Sequence, residues 1–187
     1  LRRQVGSITT YPNKVFPVPE PIPGLAFFPG GSGLWQDDPA SDPADIPVGG
    51  VMVVGHNFDS YLGYKRSFDK KEENRKGPTW RPLIALLTRA NVDLKQCFFT
   101  NFFMGLIEEG PSVGAFPGAK DPEFVALCRT LLLEQIRIQK PAYILTLGIH
   151  VIPFVATSAL ELAPWANVKN LMDMDERNVG LVPRVLF

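Results

Sequence analysis

The sequence lacks a net charge, has few cysteines and contains no long hydrophobic run. Lys and Arg together number 19, as do Asp and Glu, so contact with nucleic acid or an anionic membrane requires a local basic patch. The cysteines, Cys97 and Cys128, lie alone in apolar segments, which is typical of reduced, buried thiols and too few for a four-cysteine zinc or iron–sulfur site. No apolar run approaches the roughly 18 residues of a membrane-spanning helix, and the first residues lack the apolar core of a signal peptide. We therefore expect a cytoplasmic monomer that contacts no membrane and holds no cofactor.

Proline is concentrated at the start of the chain. Nine of the 18 prolines precede residue 48, a density that excludes a regular helix or a central strand. We expect residues 1–47 to form an ordered arm that packs on the rest of the chain through Phe27, Phe28 and Trp35. Residues 48–187 are expected to form one α/β domain around a single core.

Four apolar runs in this second part are predicted to be strands. They are rich in β-branched and aromatic residues, without the alternation of a half-exposed strand, which favours parallel strands buried on both faces. The runs are VGGVMVVG (48–55), CFFTN (97–101), AYILTLG (142–148) and LVPRVLF (181–187).

Helical patterns separate these runs. One covers residues 79–91 with Thr79 placed to cap it, one covers 121–140 with Asp121 as its cap, and one covers 150–162. Strands that alternate with helices predict right-handed crossovers. The expected fold is α/β, a three-layer α/β/α sandwich with a central four-stranded parallel sheet.

Polar side chains follow the first two predicted strands. The segment GHNFD (55–59) follows the first, and the second ends in Thr100 and Asn101. Ligands of such folds bind at the carboxyl ends of the strands. An Asn side chain there offers a donor and an acceptor on one plane, as a pyrimidine edge does, although either Asn57 or Asn101 could simply cap a loop.

The order of these motifs resembles the uracil-DNA glycosylase superfamily over roughly residues 48–150. The matching features are a Gly-x-Asn motif after a strand, a long loop, an aromatic residue before a helix, a strand ending in Thr-Asn, and the segment KPAYILTLG (140–148). The resemblance implies that Gly55 and Asn57 form the first motif and that Asn101 reads an extruded base. The implied base-binding residues are Gly55, His56, Phe58, Trp80 and Asn101, with Trp80 or Phe58 stacking on the base.

The implied activity is hydrolysis of the N-glycosidic bond of a flipped, deaminated base such as uracil in DNA. Asn57 would orient the attacking water while Asn101 stabilises the departing base. An amide is no general base, so Asp59 is the second candidate catalytic residue, with a helix cap or loop hydrogen bond as its alternative role. His56 and His150 are weaker candidates for catalysis.

The sequence also departs from the family. Phe58 stands where the family has proline, which puts selectivity for uracil in question. The family's histidine-containing loop would begin after Phe187, and we expect the domain to be truncated there.

The stretch from Asp59 to Arg81 is the most basic of the chain, with seven basic and four acidic residues. Interleaved aromatic residues suit contact with a nucleic acid strand, although a solvated loop is equally compatible. The predicted DNA contacts are Lys65, Arg66, Lys70, Lys71, Arg75 and Lys76. Two alternatives remain open: a non-catalytic member of the same fold that binds a base or nucleic acid, and an unrelated small-molecule enzyme, suggested by GGSG (30–33) but placed before the first strand.

Overall fold

The computed structural model describes residues 2–6, 8–38, 45–71, 73–110, 114–182 and 185. Five strands lie in these ranges: β1 (Val15–Phe16), β2 (Val51–Asn57), β3 (Cys97–Phe103), β4 (Leu106–Ile107) and β5 (Tyr143–Thr146). The α-helices are α1 (Arg2–Val5), α2 (Tyr61–Lys70), α3 (Trp80–Arg89), α4 (Pro122–Gln139), α5 (Ile152–Val155) and α6 (Leu171–Glu176). Three 3₁₀ helices cover Leu94–Gln96, Pro117–Lys120 and Leu160–Asn167.

A parallel sheet of three strands forms the centre of the fold, in the order β3-β2-β5, and β1 and β4 form a separate antiparallel pair. The mixed α/β class and the first three predicted strands are confirmed. The predicted four-stranded sheet is not, because most of the fourth run (residues 183, 184, 186 and 187) lies outside the described residues and Leu181 and Val182 belong to no strand. The register pairs Gly55 with Asn101, so the two strand-end motifs are neighbours in space.

Helical residues cover both faces of the sheet. On one face, Met52 and Val54 pack with apolar residues of α4 such as Leu132. On the other, Val53 packs with Leu83 of α3. This two-sided burial explains why β2 reads as a continuous apolar run. Both cysteines are buried and free, and burial raises the pKa of the Cys97 thiol to about 11 and that of Cys128 to about 12.

Of the two N-terminal helix caps that the sequence predicts, the structure confirms one. Asp121 accepts hydrogen bonds from the amides of Glu123 (3.1 Å) and Phe124 (3.0 Å), which confirms it as the cap of α4. The prediction for Thr79 is wrong, because this residue has helical φ and ψ of −82° and −50° and its side chain makes no capping hydrogen bond. A capping residue typically has a non-helical, extended backbone, from which its side chain reaches the amides of the first turn.

The predicted helix over 150–162 is also wrong, because the described chain forms only the short α5 before a turn. The amide of Ser158 donates to the carbonyl of Val155 (2.9 Å), and the Thr157 hydroxyl donates to the carbonyl of Phe154 (2.8 Å). Such local bonds compete with continued helix. The chain resumes as a 3₁₀ helix, Leu160–Asn167.

The basic stretch after β2 contains a helix, where a loop was expected. Ser60 caps α2 by accepting from the amide of Gly63 (3.1 Å), and Lys71 ends it in the left-handed conformation. Only Gly63 and Tyr64 of this helix are buried. The weak apolar face explains why the sequence pattern gave no helical signal.

The proline-rich arm runs along the free edge of β3. Phe28 forms a parallel bridge with Thr100, and Leu34 forms an antiparallel bridge with Phe98. These contacts place the segment from Ala26 to Phe28 beside the carboxyl end of the sheet. Among the described residues, no helix combines the length and the apolar character needed to cross a membrane.

Candidate functional site

A cavity of about 560 Å³ opens where β2 and β3 end. Its wall contains every residue that the sequence suggested for base binding or catalysis: Gly55, His56, Asn57, Phe58, Asp59, Trp80 and Asn101. It also contains residues that the sequence did not indicate, including Leu25, Phe27, Ser67, Glu73, Asn74, Leu147 and Gly148. The two carboxamides therefore face one space large enough for a flat heterocycle.

The Asn101 side chain is fixed by the arm. It is 3% exposed, and its Nδ2 donates to the carbonyl of Phe28 at 3.1 Å. The Phe28 carbonyl can accept a hydrogen bond from the amide nitrogen but not from the amide oxygen. This bond therefore determines the orientation of the Asn101 amide, with Nδ2 toward Phe28. Its Oδ1 lies over Gly55, so that a Cβ added to residue 55 would be only 2.3 Å from this oxygen. Glycine at position 55 is therefore required by the position of the Asn101 oxygen.

Asn57 is held by its neighbour His56. The two side chains share a hydrogen bond, and the His56 ring lies 5.5 Å from that of His150 and 5.2 Å from that of Phe103. Burial, and then the proximity of His150, lower the pKa of His56 to about 4, although the bond to Asn57 acts in the opposite direction. The His56 imidazole is therefore neutral near pH 7 and orients Asn57 as an uncharged partner.

The Asp59 carboxylate faces the start of α2. Its Oδ1 accepts from the amide of Ser60 at 2.6 Å, and a Cβ on Gly63 would come within 2.0 Å of its Oδ2. A carboxylate in this position stabilises the amino-terminal turn of a helix. The geometry thus gives Asp59 the hydrogen-bonding role that was the alternative to catalysis.

Two aromatic residues proposed for stacking differ in their surroundings. Trp80 is 4% exposed, and its ring is packed against those of Phe27, Trp35 and Phe99 at centroid distances of 5.1 to 5.2 Å. Phe58 is half-buried. Its ring lies so close to Gly30 that a Cβ there would meet it at 2.1 Å. Trp80 thus belongs mainly to the core, and Phe58 is the more accessible ring.

Phe27 joins the site from the arm, where the sequence indicated only a packing residue. Its ring lines the cavity and would lie 3.7 Å from a Cβ on Gly55. The backbone around it is held at both ends, because Asn101 binds the carbonyl of Phe28 and Glu73 Oε2 accepts from the amide of Ala26 at 2.8 Å. Phe27 is therefore a rigid aromatic wall beside the carboxamide of Asn101.

Glu73 is the second residue that the sequence did not reveal. Its Oε1 accepts from the Trp80 indole nitrogen at 2.5 Å, while its Oε2 binds Ala26. Burial raises the pKa of Glu73, and the bonds from Ala26 and Trp80 and the charge of Arg75 oppose that rise. In the sequence it is one acidic residue in a basic stretch, with no motif around it.

A groove of about 880 Å³ adjoins the cavity. The two spaces share Asp59, Ser67, Glu73 and Asn74. Of the described residues, the cations that line the groove are Arg66, Lys70, Arg75 and Lys76. The carboxylates of Asp37, Asp59 and Glu73 line it as well, so the groove has one more basic than acidic side chain where it leads to the mouth of the cavity.

The other two predicted DNA contacts lie outside this groove. Lys65 and Lys71 are exposed, and the Lys65 Nζ lies 5.1 Å above the ring of Tyr61. Within the groove, the Arg75 guanidinium lies 4.4 Å above the ring of Trp35 and donates to the carbonyl of Gln36 at 3.3 Å. The structure thus brings four of the six predicted cations together.

The site is built from carboxamides, aromatic rings, carboxylates and a cationic border. In the described part of the chain, no group of three or more His, Cys, Asp or Glu side chains is arranged to hold a metal ion. In comparisons with known proteins, no family model and no curated protein matches the chain.

Proposed function

We propose that this protein binds a DNA strand and hydrolyses the N-glycosidic bond of a deaminated base, such as uracil, extruded into the 560 Å³ cavity. One observation carries the proposal: Asn57 and Asn101 line the same cavity, and that cavity continues into a cationic groove. A base and its phosphate backbone need these two environments side by side. A uracil-DNA glycosylase-like sandwich is part of the same proposal.

Base recognition would depend on Asn101. One of its amide hydrogens is used by Phe28, which leaves a second N–H and the oxygen for a ligand. A pyrimidine with a carbonyl beside a ring N–H matches that pair. The rings of Phe27 and Phe58 line the same space and would stack on the base, whose extrusion costs a few kcal/mol.

Hydrolysis would depend on Asn57. The reaction passes through a sugar with oxocarbenium character, so the water must be positioned before the bond breaks. The hydrogen bond to neutral His56 fixes the Asn57 amide, which then orients the water. The charge that develops on the base is stabilised by the amide donor of Asn101.

The strand itself would lie in the groove. Arg66, Lys70, Arg75 and Lys76 line it and are exposed, which suits contact with phosphates. A single groove of this size suits one strand, so we expect single-stranded DNA to bind through about three or four phosphate contacts.

The test uses the 187-residue chain and oligonucleotides, single- or double-stranded, that contain one uracil. Abasic sites are measured by alkaline strand cleavage. We expect release of uracil by the wild type, and a loss of about 100-fold or more in Asn57→Ala and Asn101→Ala. Asn167→Ala, at an exposed asparagine that does not line the cavity, is the matched control. No abasic site from uracil, hypoxanthine or xanthine, in either form of DNA, would rule out the hydrolase.

A second candidate is a protein that binds the base without cleaving it. It is favoured by the hydrogen bond that commits Asn57 to His56 and by the inability of an amide to act as a general base. In that case uracil-containing DNA binds without base release, binding survives Asn57→Ala, and it is lost in Asn101→Ala. Equal binding of uracil-containing and uracil-free strands would exclude this candidate.

A further inference from the structure

We infer that Glu73 is the catalytic carboxylate of this site and accepts a proton from the attacking water. The inference rests on the proposed hydrolysis and adds a residue that the sequence motifs do not include. Among the described residues, the carboxylates in the cavity wall are Asp59 and Glu73. The choice between them follows from their position and from the direction that each carboxylate faces.

Glu73 lies where the reacting atom has to be. It lines the cavity, which would hold the base, and also the groove, which would hold the phosphates. The sugar joins base to phosphate, so its C1′ atom passes the boundary between the two spaces. A group that belongs to both walls is close to the carbon that water attacks, as catalysis by proximity requires.

The Glu73 carboxylate is fixed by hydrogen bonds but can still accept further ones. Each oxygen accepts one hydrogen bond, from the indole of Trp80 at 2.5 Å and from the amide of Ala26 at 2.8 Å. A carboxylate oxygen can accept two, so each keeps a lone pair for water. Both donors are fixed by the core, which restricts the carboxylate to one orientation before substrate arrives.

Asp59 is less suited to the same role, although it lines both spaces as well. One of its oxygens accepts from the amide of Ser60 at 2.6 Å, and the other lies against Gly63 in the first turn of α2. Its carboxylate therefore serves the start of the helix. Burial raises the pKa of Glu73, which brings it toward the range useful for a general base near neutral pH.

The step balances without a further reagent. The water oxygen bonds to C1′ while the bond from C1′ to the base nitrogen breaks, and Glu73 takes one proton from the water. The electron pair of the broken bond leaves with the base, which then takes up a proton from solvent. Glu73 releases its proton to solvent, so the products are the free base and a sugar with a hydroxyl at C1′.

The decisive measurement is the pH dependence of uracil release by the 187-residue chain and its variant Glu73→Gln. We expect the wild-type rate to fall at acid pH as Glu73 becomes protonated. In Glu73→Gln the rate at pH 7 should fall about 100-fold or more, the usual contribution of a general base. The decline of rate at acid pH that belongs to Glu73 should disappear, which leaves only the decline due to His56, whose pKa is about 4. Glu73→Asp should restore part of the rate and the limb.

Controls separate catalysis from packing. Glu176→Gln, an exposed glutamate of α6, should leave the rate and the pH profile unchanged, and Asp59→Asn should leave the acid limb in place. Thermal unfolding of each variant reports the loss of hydrogen bonds to Ala26 and Trp80. A purely structural role for Glu73 would lower the unfolding temperature and leave the acid limb where it is.

A second variant covers the case in which Glu73→Gln does not fold. Trp80→Phe keeps an aromatic ring and removes the donor to Glu73, so the pKa of the carboxyl should rise and the acid limb should move to higher pH. If the wild type releases uracil and the acid limb of the pH profile does not move in these variants, the role of Glu73 is overturned. The proposed hydrolase activity is then unaffected. No uracil release by the wild type overturns both.

Discussion

The close approach of Gly55 to Asn101 can be tested by adding one methyl group. In Gly55→Ala the new Cβ would lie 2.3 Å from Asn101 Oδ1, whereas real Cβ contacts are essentially never under 3.0 Å. Asn101 is 3% exposed and its Nδ2 is bonded to the Phe28 carbonyl, so the amide has no free space into which it can retreat. We expect the substitution to displace the carboxamide and to weaken or break that bond.

The expected cost can be worked out from three terms. Overpacking a filled site costs about 1–3 kcal/mol, and leaving buried hydrogen-bonding groups unsatisfied costs about 1–3 kcal/mol. Replacing glycine inside a strand returns roughly 0.5–1 kcal/mol. The free energy of unfolding should therefore fall by roughly 3 kcal/mol, which for a chain of this length lowers the unfolding temperature by about 6–12 °C.

The assay is thermal unfolding followed by circular dichroism, with uracil release measured below the transition. Gly180→Ala is the matched control, because its Cβ would have Asp175 Oδ1 at 3.9 Å as its nearest neighbour. We expect near-wild-type stability and activity in that variant. Equal unfolding temperatures for Gly55→Ala and Gly180→Ala would refute the reasoning that Gly55 makes room for Asn101.

Three further outcomes are expected. Asp121→Ala should lose about 1 kcal/mol of stability in urea unfolding, whereas Thr79→Ala, which removes no capping bond, should change it little; equal losses would contradict the caps. The pKa of His56 is lowered from 6.5 to about 4, so the unfolded chain binds more protons between these values. Stability should therefore fall as pH is lowered through that window, and His56→Gln should flatten the dependence; an unchanged slope would contradict it. For DNA binding, Lys70→Ala should reduce the slope of log affinity against log salt by about 0.7, while Lys65→Ala, outside the groove, should not; equal slopes would remove the groove from the interface.

The strands of the central sheet could be predicted from the sequence because they are short apolar runs rich in β-branched and aromatic residues, which favours a strand over a buried helix. The expected burial on both faces holds for β3, whereas Tyr143 of β5 is exposed and the rest of β5 is only half-buried. The helix α2 could not be predicted, since it buries only Gly63 and Tyr64. Its formation depends on local capping by Ser60, whose signal is short and shared with many loops.

The candidate site divides in the same way. Asn57 and Asn101 were predictable because strand order brings the carboxyl ends of parallel strands to one edge. Phe27 and Glu73 were not, because each reaches the cavity through contacts between segments distant in sequence, such as the bond from Ala26 to Glu73. Sequence periodicity carries no information about such contacts.

The arm shows why the missing part of the site had to come from tertiary structure. Asn101 and Glu73 hold the two ends of the segment from Ala26 to Phe28, and the amide of Phe28 donates to the carbonyl of Phe99 at 2.9 Å. These bonds hold the segment over the free edge of β3, which would otherwise expose backbone groups. They also fix Phe27 in the cavity wall. The carboxamide and carboxylate that we assign to base binding and catalysis are therefore also the groups that hold the arm. A substitution at either position acts on the chemistry and on the shape of the cavity together, which is why the rate, its pH profile and the unfolding temperature must be measured on the same variants.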